Sequence, residues 1–380
     1  MKITARTLSG EVCDVLIDGH VFKKITHHKE DILDLPWIAP GLIDIQINGF
    51  AGIDFNRPLE SDEAWHHAAH QLYAQGCTGF LVALITNREE NYRQLLSNLT
   101  GHINLDPRNC LGFHMEGPWL NPDPGYRGAH HAEWMQKPSL RLLEEWWGIA
   151  DSLLKLITLA PEVDLPAAQQ VIRAGVEKKI QFFLGHSAAM GETLVEAIEA
   201  GMVGWTHLGN AVPATAPKFE NVIFHALAQP NLMASLIPDG VHLPPHVFRV
   251  MARTLNKATP PRLLLTTDSM AAAAVTKPGR YTLGDIQAEV GADGSARLPG
   301  SGRLAGSTLT PFQGVFLAER MAAILLEHAW TAFSTRPAAL LGLKHGLAEG
   351  NSADFCLISP EKVPYLLATY HRGKCVYEAD

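Results

Sequence analysis

The chain has 380 residues, of which 18% are charged and 47% hydrophobic, and its formal net charge is −8. These values are ordinary for a globular enzyme and allow one large domain or two smaller ones. The acidic balance, with no cluster of Lys and Arg, argues against general nucleic-acid binding. Five scattered cysteines without CxxC spacing favour reduced thiols, and no apolar run is long enough to span a membrane. We therefore expect a cytoplasmic protein that binds neither nucleic acids nor membranes.

Short apolar runs alternate with segments of helical character through most of the chain. Near-continuous apolar strands are typical of parallel sheets that are covered on both faces. Segments such as SDEAWHHAAHQLYAQG and DLPAAQQVIRAGVEKK separate these runs and have helical periodicity. The pattern predicts an α/β fold, a (β/α)8 TIM-like barrel, with a doubly wound open sheet as the alternative. The predicted strands are LIDIQI (42–47), GFLVAL (79–84), CLGFHM (110–115), LLKLITLA (153–160), IQFFLG (180–185), VGWTHL (203–208), LMASLI (232–237) and RLLLTT (262–267).

The two ends of the chain differ from this pattern, because they resemble strands separated by turns and lack helical periodicity. We expect residues 1–38 and 345–380 to pair into one small β domain that brackets a barrel domain of residues 39–344. A Gly-rich segment, RYTLGDIQAEVGADGSARLPGSGRLAGS, follows the eighth predicted strand. It has the character of a hairpin and lies where a substrate loop of a barrel would be.

Four predicted strands lead directly to a side chain that can bind a metal ion or transfer a proton. They are Glu116, His186, His207 and Asp268. The carboxyl ends of barrel strands share one face, where active sites lie. One carboxylate and two imidazoles suit a zinc-like ion that keeps a position open for water, and a further carboxylate beside that water suits a general base. The pattern predicts a metal-assisted hydrolase, although each residue alone also has a structural explanation, as a turn cap or a packed histidine.

Eight motifs occur in the order PGLIDIQINGFAG, HMEGPWLNP, LAPE, GHSAA, THLGNAVP, PDGVHL, TTDSM and GSTLT. In these motifs and in their order, the chain resembles the N-acetylglucosamine-6-phosphate deacetylase family of the amidohydrolase superfamily over nearly its whole length. The resemblance implies a barrel that carries a small β-sandwich made from both termini, and a homodimer. It also implies hydrolysis of N-acetylglucosamine 6-phosphate to glucosamine 6-phosphate and acetate.

The resemblance implies one divalent metal ion, held by Glu116, His186 and His207. Many amidohydrolases have His-x-His at the end of the first strand, where it binds a second metal ion. This chain has Gln46-Ile47-Asn48 there, and amide side chains are inadequate replacements for imidazole toward zinc. Zinc is the expected metal, and ferrous iron is the alternative because it tolerates the same ligands.

By the same resemblance, Asp268 accepts a proton as water attacks the acetyl carbonyl group, and then returns it to the departing amine. His130, in Gly128-Ala129-His130, would polarise that carbonyl group and stabilise the developing oxyanion.

Four residues are implied to bind the substrate: Asn210, the backbone of Ala211, His242 and Lys218. Lys218 stands where the family usually has an Arg that contacts the phosphate, in its own or in the partner subunit's site. A lysine keeps the charge but loses the bidentate fork that matches phosphate.

Departures from the family pattern lie on the substrate side. TAPKFENVIF lacks the usual Gly-Arg-Glu-Pro-Gly run, and TTDSMAAAAV departs from the commoner Ala-Pro-Ala-Gly ending. N-acetylgalactosamine 6-phosphate and other N-acyl compounds therefore remain alternative substrates. A non-catalytic sugar-phosphate sensor is a third hypothesis, but it predicts damage at the base or the metal ligands, which are all present.

Overall fold

The computed structural model describes residues 1–29, 32, 34–275 and 277–379. Within these residues, eight parallel strands follow one another in sequence order around a single sheet. Each one overlaps the apolar run that predicted it. The strands are β1 (Leu42–Ile47), β2 (Cys77–Ile85), β3 (Cys110–Glu116), β4 (Leu154–Leu159), β5 (Gln181–Leu184), β6 (Met202–Trp205), β7 (Met233–Leu236) and β8 (Leu263–Leu265).

The first and last strands of this sheet meet, so the sheet forms a barrel. Ile47 at the end of β1 forms a parallel bridge with Ser269, just beyond β8. The backbone N–H of Asn48 donates to the carbonyl oxygen of Ser269 over 2.8 Å. The predicted TIM-like (β/α)8 barrel is confirmed, and the doubly wound open sheet is excluded.

Amphipathic helices connect the strands and cover the barrel. The helix Leu165–Glu177 illustrates why they form, since Asp164 caps it by accepting a hydrogen bond from the N–H of Ala167. Its Gly175 packs so closely on Phe182 of β5 that an added Cβ would lie 2.4 Å from that ring. No helix in the described ranges combines the length and apolarity needed to cross a membrane. The helices are Asp62–Tyr73, Glu89–Leu105, Leu140–Ala150, Leu165–Glu177, Gly191–Ala200, Val222–Ala228, Pro245–Asn256, Pro311–Ala322, Leu326–Ala332 and Thr335–Leu340, with short 3-10 turns at Ala132–Trp134, Asp151–Leu153 and Pro161–Val163.

Both ends of the chain contribute to a second sheet, called the terminal sheet below. Phe22 and Phe355 lie on strands that three other strands separate in this sheet, yet their ring centroids are 5.7 Å apart. The sheet therefore curls over its own small core, and the predicted small β domain from both termini is confirmed. The exact boundaries at 38/39 and 344/345 remain predictions. In spatial order the strands are Lys374–Glu378, Leu366–His371, Phe355–Ile358, Trp37–Pro40, Lys2–Thr7, Val12–Asp18 and Val21–His28.

The Gly-rich segment after β8 forms a three-stranded antiparallel sheet, called the cover sheet below, as its hairpin character predicted. Its Leu283 and Ile286 pack with Met270 and with Ile85 at the end of β2. This packing places the cover sheet over the carboxyl ends of the barrel strands. Its strands are Gly279–Leu283, Ile286–Val290 and Ala296–Arg297, and a two-stranded ribbon of Gly49–Phe50 and Ile53–Asp54 follows β1.

Candidate active site

A cavity of about 260 Å³ lies between the carboxyl ends of the barrel strands and the cover sheet. The cover sheet contributes Leu283, Ile286 and the segment from Arg303 to Gly306 to its wall. Nearly all residues that the sequence placed in a site line this cavity, although they come from distant parts of the chain. They are Glu116, His130, His186, His207, Asn210, Ala211, His242 and Asp268.

Glu116, His186 and His207 converge at the bottom of the cavity, and each is less than a tenth exposed. Nε2 of His207 lies 2.7 Å from Oε1 of Glu116, and Nε2 of His186 lies 3.3 Å from the same oxygen. The imidazole groups lower the pKa of Glu116 well below its usual value, although burial opposes this effect by favouring the neutral acid. The three predicted metal ligands are therefore brought together around one carboxylate oxygen.

The hydrogen bond formed by Nδ1 of His186 indicates that this cluster fits a metal ion. Nδ1 of His186 lies 2.9 Å from the carbonyl oxygen of Tyr126, and a carbonyl can only accept, so Nδ1 carries the hydrogen. In the neutral form of this tautomer the lone pair is on Nε2, the nitrogen that lies 3.3 Å from Oε1 of Glu116, so that a cation could be held by both groups. Fixing the tautomer through the second ring nitrogen is typical of metal-bound histidines. A carboxylate and two imidazoles also form a donor set suited to a divalent transition metal.

His130 lies close to the same carboxylate but presents different chemistry. Its Nε2 is 3.8 Å from Oε2 of Glu116, and it forms a metal-capable cluster with Glu116 and His186. Nδ1 of His130 lies 2.9 Å from the hydroxyl of Thr86 and accepts from the backbone N–H of Thr86 over 3.3 Å. Because a backbone N–H can only donate, the hydrogen of the neutral ring is on Nε2. Burial lowers the pKa of His130 to about 3, with a further contribution from His186. His130 is therefore a neutral donor whose N–H faces the cavity.

Asp268 lies beside this cluster and is 8% exposed. Its Oδ1 accepts a hydrogen bond from Nδ2 of Asn48 over 2.8 Å. Burial and, to a smaller extent, the charge of Glu116 raise the pKa of Asp268 to about 7, although His207, His242 and Asn48 act in the opposite direction. A carboxylate with a pKa near neutrality is well matched to proton transfer.

Three of these side chains stand on left-handed backbone, which non-glycine residues rarely adopt. The φ angles are 51° at His186, 35° at His207 and 51° at Asp268. All three residues lie two or three positions beyond the end of a barrel strand, and their side chains line the cavity. Such outliers cluster at functional sites, where the surrounding structure holds them in place.

Two carboxylates that the sequence analysis missed hold these turns. Glu162 accepts hydrogen bonds from the hydroxyl of Ser187 over 2.8 Å and from the N–H of Ala188, both directly after His186. Asp44 on β1 is fully buried, and it accepts hydrogen bonds from both Thr266 and Thr267, directly before Asp268. Glu162 lies in the motif LAPE, but Asp44 lies inside an apolar run and gave no signal of its own.

Of the predicted substrate-binding side chains, those of Asn210 and His242 line the cavity, whereas Lys218 does not. Nδ2 of Asn210 donates to the carbonyl oxygen of His207 over 3.0 Å, which leaves its amide oxygen available. Nδ1 of His242 donates to Asp239 over 2.6 Å, so Nε2 is the nitrogen left for a ligand. Lys218 is exposed, lies over the ring of Phe219 at 5.2 Å, and is not among the residues that line the cavity. Its role toward phosphate therefore stays a prediction.

Comparisons with known proteins identify the family of the chain. The model of the amidohydrolase family matches residues 37–376. The N-acetylglucosamine-6-phosphate deacetylase of Rattus norvegicus is 32% identical over 90% of this chain and 84% of its own, and that of Vibrio furnissii is 29% identical over 90% and 83%. The structure of a mutant N-acetyl-D-glucosamine-6-phosphate deacetylase from Mycobacterium smegmatis, in complex with N-acetyl-D-glucosamine-6-phosphate, is 25% identical, covers 99% of both chains and has a TM-score of 0.88. The chain therefore belongs to the amidohydrolase family and, within it, to the N-acetylglucosamine-6-phosphate deacetylase family.

Proposed function

We propose that the protein hydrolyses the N-acetyl group of N-acetylglucosamine 6-phosphate, producing glucosamine 6-phosphate and acetate. One observation carries this conclusion. Three potential metal ligands, a buried carboxylate and a neutral histidine donor converge in one cavity at the carboxyl end of the barrel, where barrel enzymes carry their active sites. The relatives that bear the name of this deacetylase match 90% of the chain, and the match to the amidohydrolase family model, residues 37–376, includes every residue that lines the cavity.

We propose that Glu116, His186 and His207 hold one divalent metal ion, with zinc as the expected ion and ferrous iron as the alternative. When bound, such an ion supplies Lewis acidity, which polarises a carbonyl oxygen and acidifies water. Asn48, which stands in place of a possible second-site histidine, donates its amide N–H to Asp268 instead. This contact supports a single-ion site.

We assign the proton transfers to Asp268. Its carboxylate accepts one proton from the water molecule that adds to the acetyl carbonyl carbon. The protonated carboxyl group then delivers this proton to the amide nitrogen as the C–N bond breaks. Acetic acid, which retains the second proton of the water molecule and ionises to acetate in solution, leaves with the free amine, and the carboxylate of Asp268 is restored. The amide of Asn48 holds Oδ1 of Asp268, and Oδ2 is consequently the oxygen proposed to carry the proton.

We assign stabilisation of the oxyanion to His130. Because Nδ1 accepts a hydrogen bond from Thr86, Nε2–H is directed at the cavity and can donate to the carbonyl oxygen as negative charge develops there. A neutral ring suits this task, since it donates a hydrogen bond without competing with Asp268 for the proton.

We propose that Asn210, the backbone of Ala211 and His242 contact the sugar phosphate, because all three line the same cavity. We also propose a homodimer. It is supported by exposed aromatic side chains beside Lys218, namely Phe219 at 69% and Phe224 at 53% exposure. Light scattering coupled to size exclusion tests this, and a monomer at micromolar concentration would contradict it.

Turnover of the metal-loaded protein tests the proposed reaction directly. Proton NMR of a mixture with N-acetylglucosamine 6-phosphate should show acetate and glucosamine 6-phosphate appearing in equal amounts. Treatment with a chelator should stop the reaction, and added Zn²⁺ or Fe²⁺ should restore it. A protein that binds the metal stoichiometrically and releases no acetate would refute the proposal.

A further inference from the structure

Arg303 is a cavity residue that neither the sequence motifs nor the assigned roles account for. It lies in the segment GSGRLAGS of the cover sheet. Among the described residues that line the cavity, it is the only lysine or arginine. The side chain is half-buried. Its guanidinium donates from one NH group to the carbonyl oxygen of Gly128 over 3.2 Å, so it connects the cover sheet with the loop that carries His130.

The backbone of Arg303 is fixed, so this placement is defined. The N–H of Leu298 donates to the carbonyl oxygen of Arg303 over 2.8 Å, and the N–H of Gly302 donates to the carbonyl oxygen of Leu298 over 3.1 Å. These two bonds close a tight turn with Arg303 at its base. The side chain is anchored at one end while the guanidinium, which carries several N–H donors besides the one on Gly128, faces the cavity.

Gly128 connects Arg303 with one of the proposed metal ligands, His186. The Gly128 residue that accepts its hydrogen bond lies so close to His186 that an added Cβ would be 3.0 Å from Cε1 of that ring. An anionic group bound by Arg303 would therefore lie in the same cavity as the proposed metal ligands.

Arg303 supplies a positive charge that suits a phosphate group. The charges of Glu116 and Asp268, which line the cavity, are balanced by the divalent ion proposed above, and the protein as a whole has a net charge of −8. A phosphate dianion is therefore stabilised in this cavity by a further positive charge. Lys218 lies outside the cavity, whereas a guanidinium is always charged and matches phosphate with a planar fork of donors.

We propose that Arg303 binds the phosphate group of the substrate and is the residue within the cavity that favours phosphorylated N-acetylhexosamines. The proposal rests on the deacetylase function proposed above and deepens it. The cation comes from the same chain as the catalytic cluster, from a sheet that closes over the site. Arg303 is thus a specificity-determining residue in this account, and its removal should affect the phosphorylated substrate selectively.

The test compares Arg303→Met with the wild-type holoenzyme on N-acetylglucosamine 6-phosphate and on unphosphorylated N-acetylglucosamine. Loss of a charge-assisted contact should lower kcat/KM for the phosphorylated sugar about 10- to 100-fold, mainly through KM. The unphosphorylated sugar should change by less than about threefold, and Arg303→Lys should restore part of the preference. Arg280→Met is the matched control, because Arg280 lies on the same sheet and pairs with exposed Glu289 outside the cavity.

Equal losses with both sugars, mainly in kcat, would overturn the proposal and leave Arg303 as a structural contact of the Gly128 loop. An unchanged preference would overturn it as well. Calorimetric titration of glucosamine 6-phosphate into both proteins tests the proposal without relying on turnover, since binding should weaken about 10-fold or more in Arg303→Met. If the wild-type protein releases no acetate, the deacetylase function fails, while this titration still decides whether Arg303 binds a sugar phosphate.

Discussion

Replacing Asp268 with Asn should remove a proton acceptor while it preserves the shape of the site. Oδ1 of Asp268 accepts a hydrogen bond from the amide of Asn48. In Asp268→Asn the carbonyl oxygen must keep this position, because two NH2 groups cannot face each other favourably. The new NH2 group then occupies the place of Oδ2. The backbone remains undisturbed, since asparagine is one of the few residues that tolerate the φ of 51° found there.

The expected loss of rate in Asp268→Asn follows from the loss of general acid–base catalysis. An N–H donor stands where the attacking water needs a base, so the general acid–base contribution disappears. That contribution is typically 10²- to 10⁴-fold in rate, or about 2.7 to 5.4 kcal/mol of activation free energy. KM should change little, because the substrate contacts proposed for Asn210, Ala211 and His242 remain.

Steady-state release of acetate from N-acetylglucosamine 6-phosphate measures the effect, and the metal content of each preparation is determined alongside. Asp285→Asn is the matched control, since Asp285 is exposed at the turn of the cover sheet and should retain wild-type turnover. Near-normal kcat in Asp268→Asn, with a full complement of metal, would refute the assignment of Asp268 as the base.

His130→Gln should lower kcat about 10²- to 10³-fold with little change in KM, because one donor to the oxyanion is lost; a larger effect on KM than on kcat in the same acetate assay would contradict this role. Glu162→Ala should weaken metal binding about 10- to 100-fold, because the Ser187 hydroxyl and the loop after His186 lose their acceptor. Competition with a chromogenic chelator measures the metal affinity, and an unchanged affinity would show that the loop keeps its conformation without Glu162. Lys218→Ala should raise KM for the phosphorylated sugar alone, and an unchanged KM would refute its predicted phosphate role.

The barrel could be predicted because each of its strands is a short, nearly continuous apolar run. The observed bounds differ from the predicted ones by one to three residues at some ends, for example Met202–Trp205 for the run VGWTHL. The difference arises because the turn that contains His207 follows the strand directly and is itself buried. The apolar run in the sequence therefore continues past the last residue that pairs with the neighbouring strands.

The convergence of Glu116, His186, His207 and Asp268 was also predictable, because the topology of a parallel barrel brings the carboxyl ends of its strands to one face. Their tautomers and backbone conformations were not. The donor character of His130 depends on a hydrogen bond with Thr86, which is 44 residues away in the chain. No local pattern encodes such a contact.

Asp44 and Arg303 show two further limits of the sequence. Asp44 lies within LIDIQI, where a buried carboxylate makes sense only once Thr266 and Thr267 are seen across the barrel closure. Arg303 belongs to a Gly-rich hairpin whose position over the cavity depends on packing by Leu283 and Ile286. In both cases the partner is set by tertiary structure, and composition gives no indication of it.

The most direct test of the proposed function is kcat/KM for acetate release by the metal-loaded protein from three sugars. These are N-acetylglucosamine 6-phosphate, its galacto epimer and unphosphorylated N-acetylglucosamine. We expect a strong preference for N-acetylglucosamine 6-phosphate over both others. Preference for the galacto epimer would keep the reaction and correct the substrate, whereas activity on none of the three would contradict the assignment of this cavity to amino-sugar phosphates.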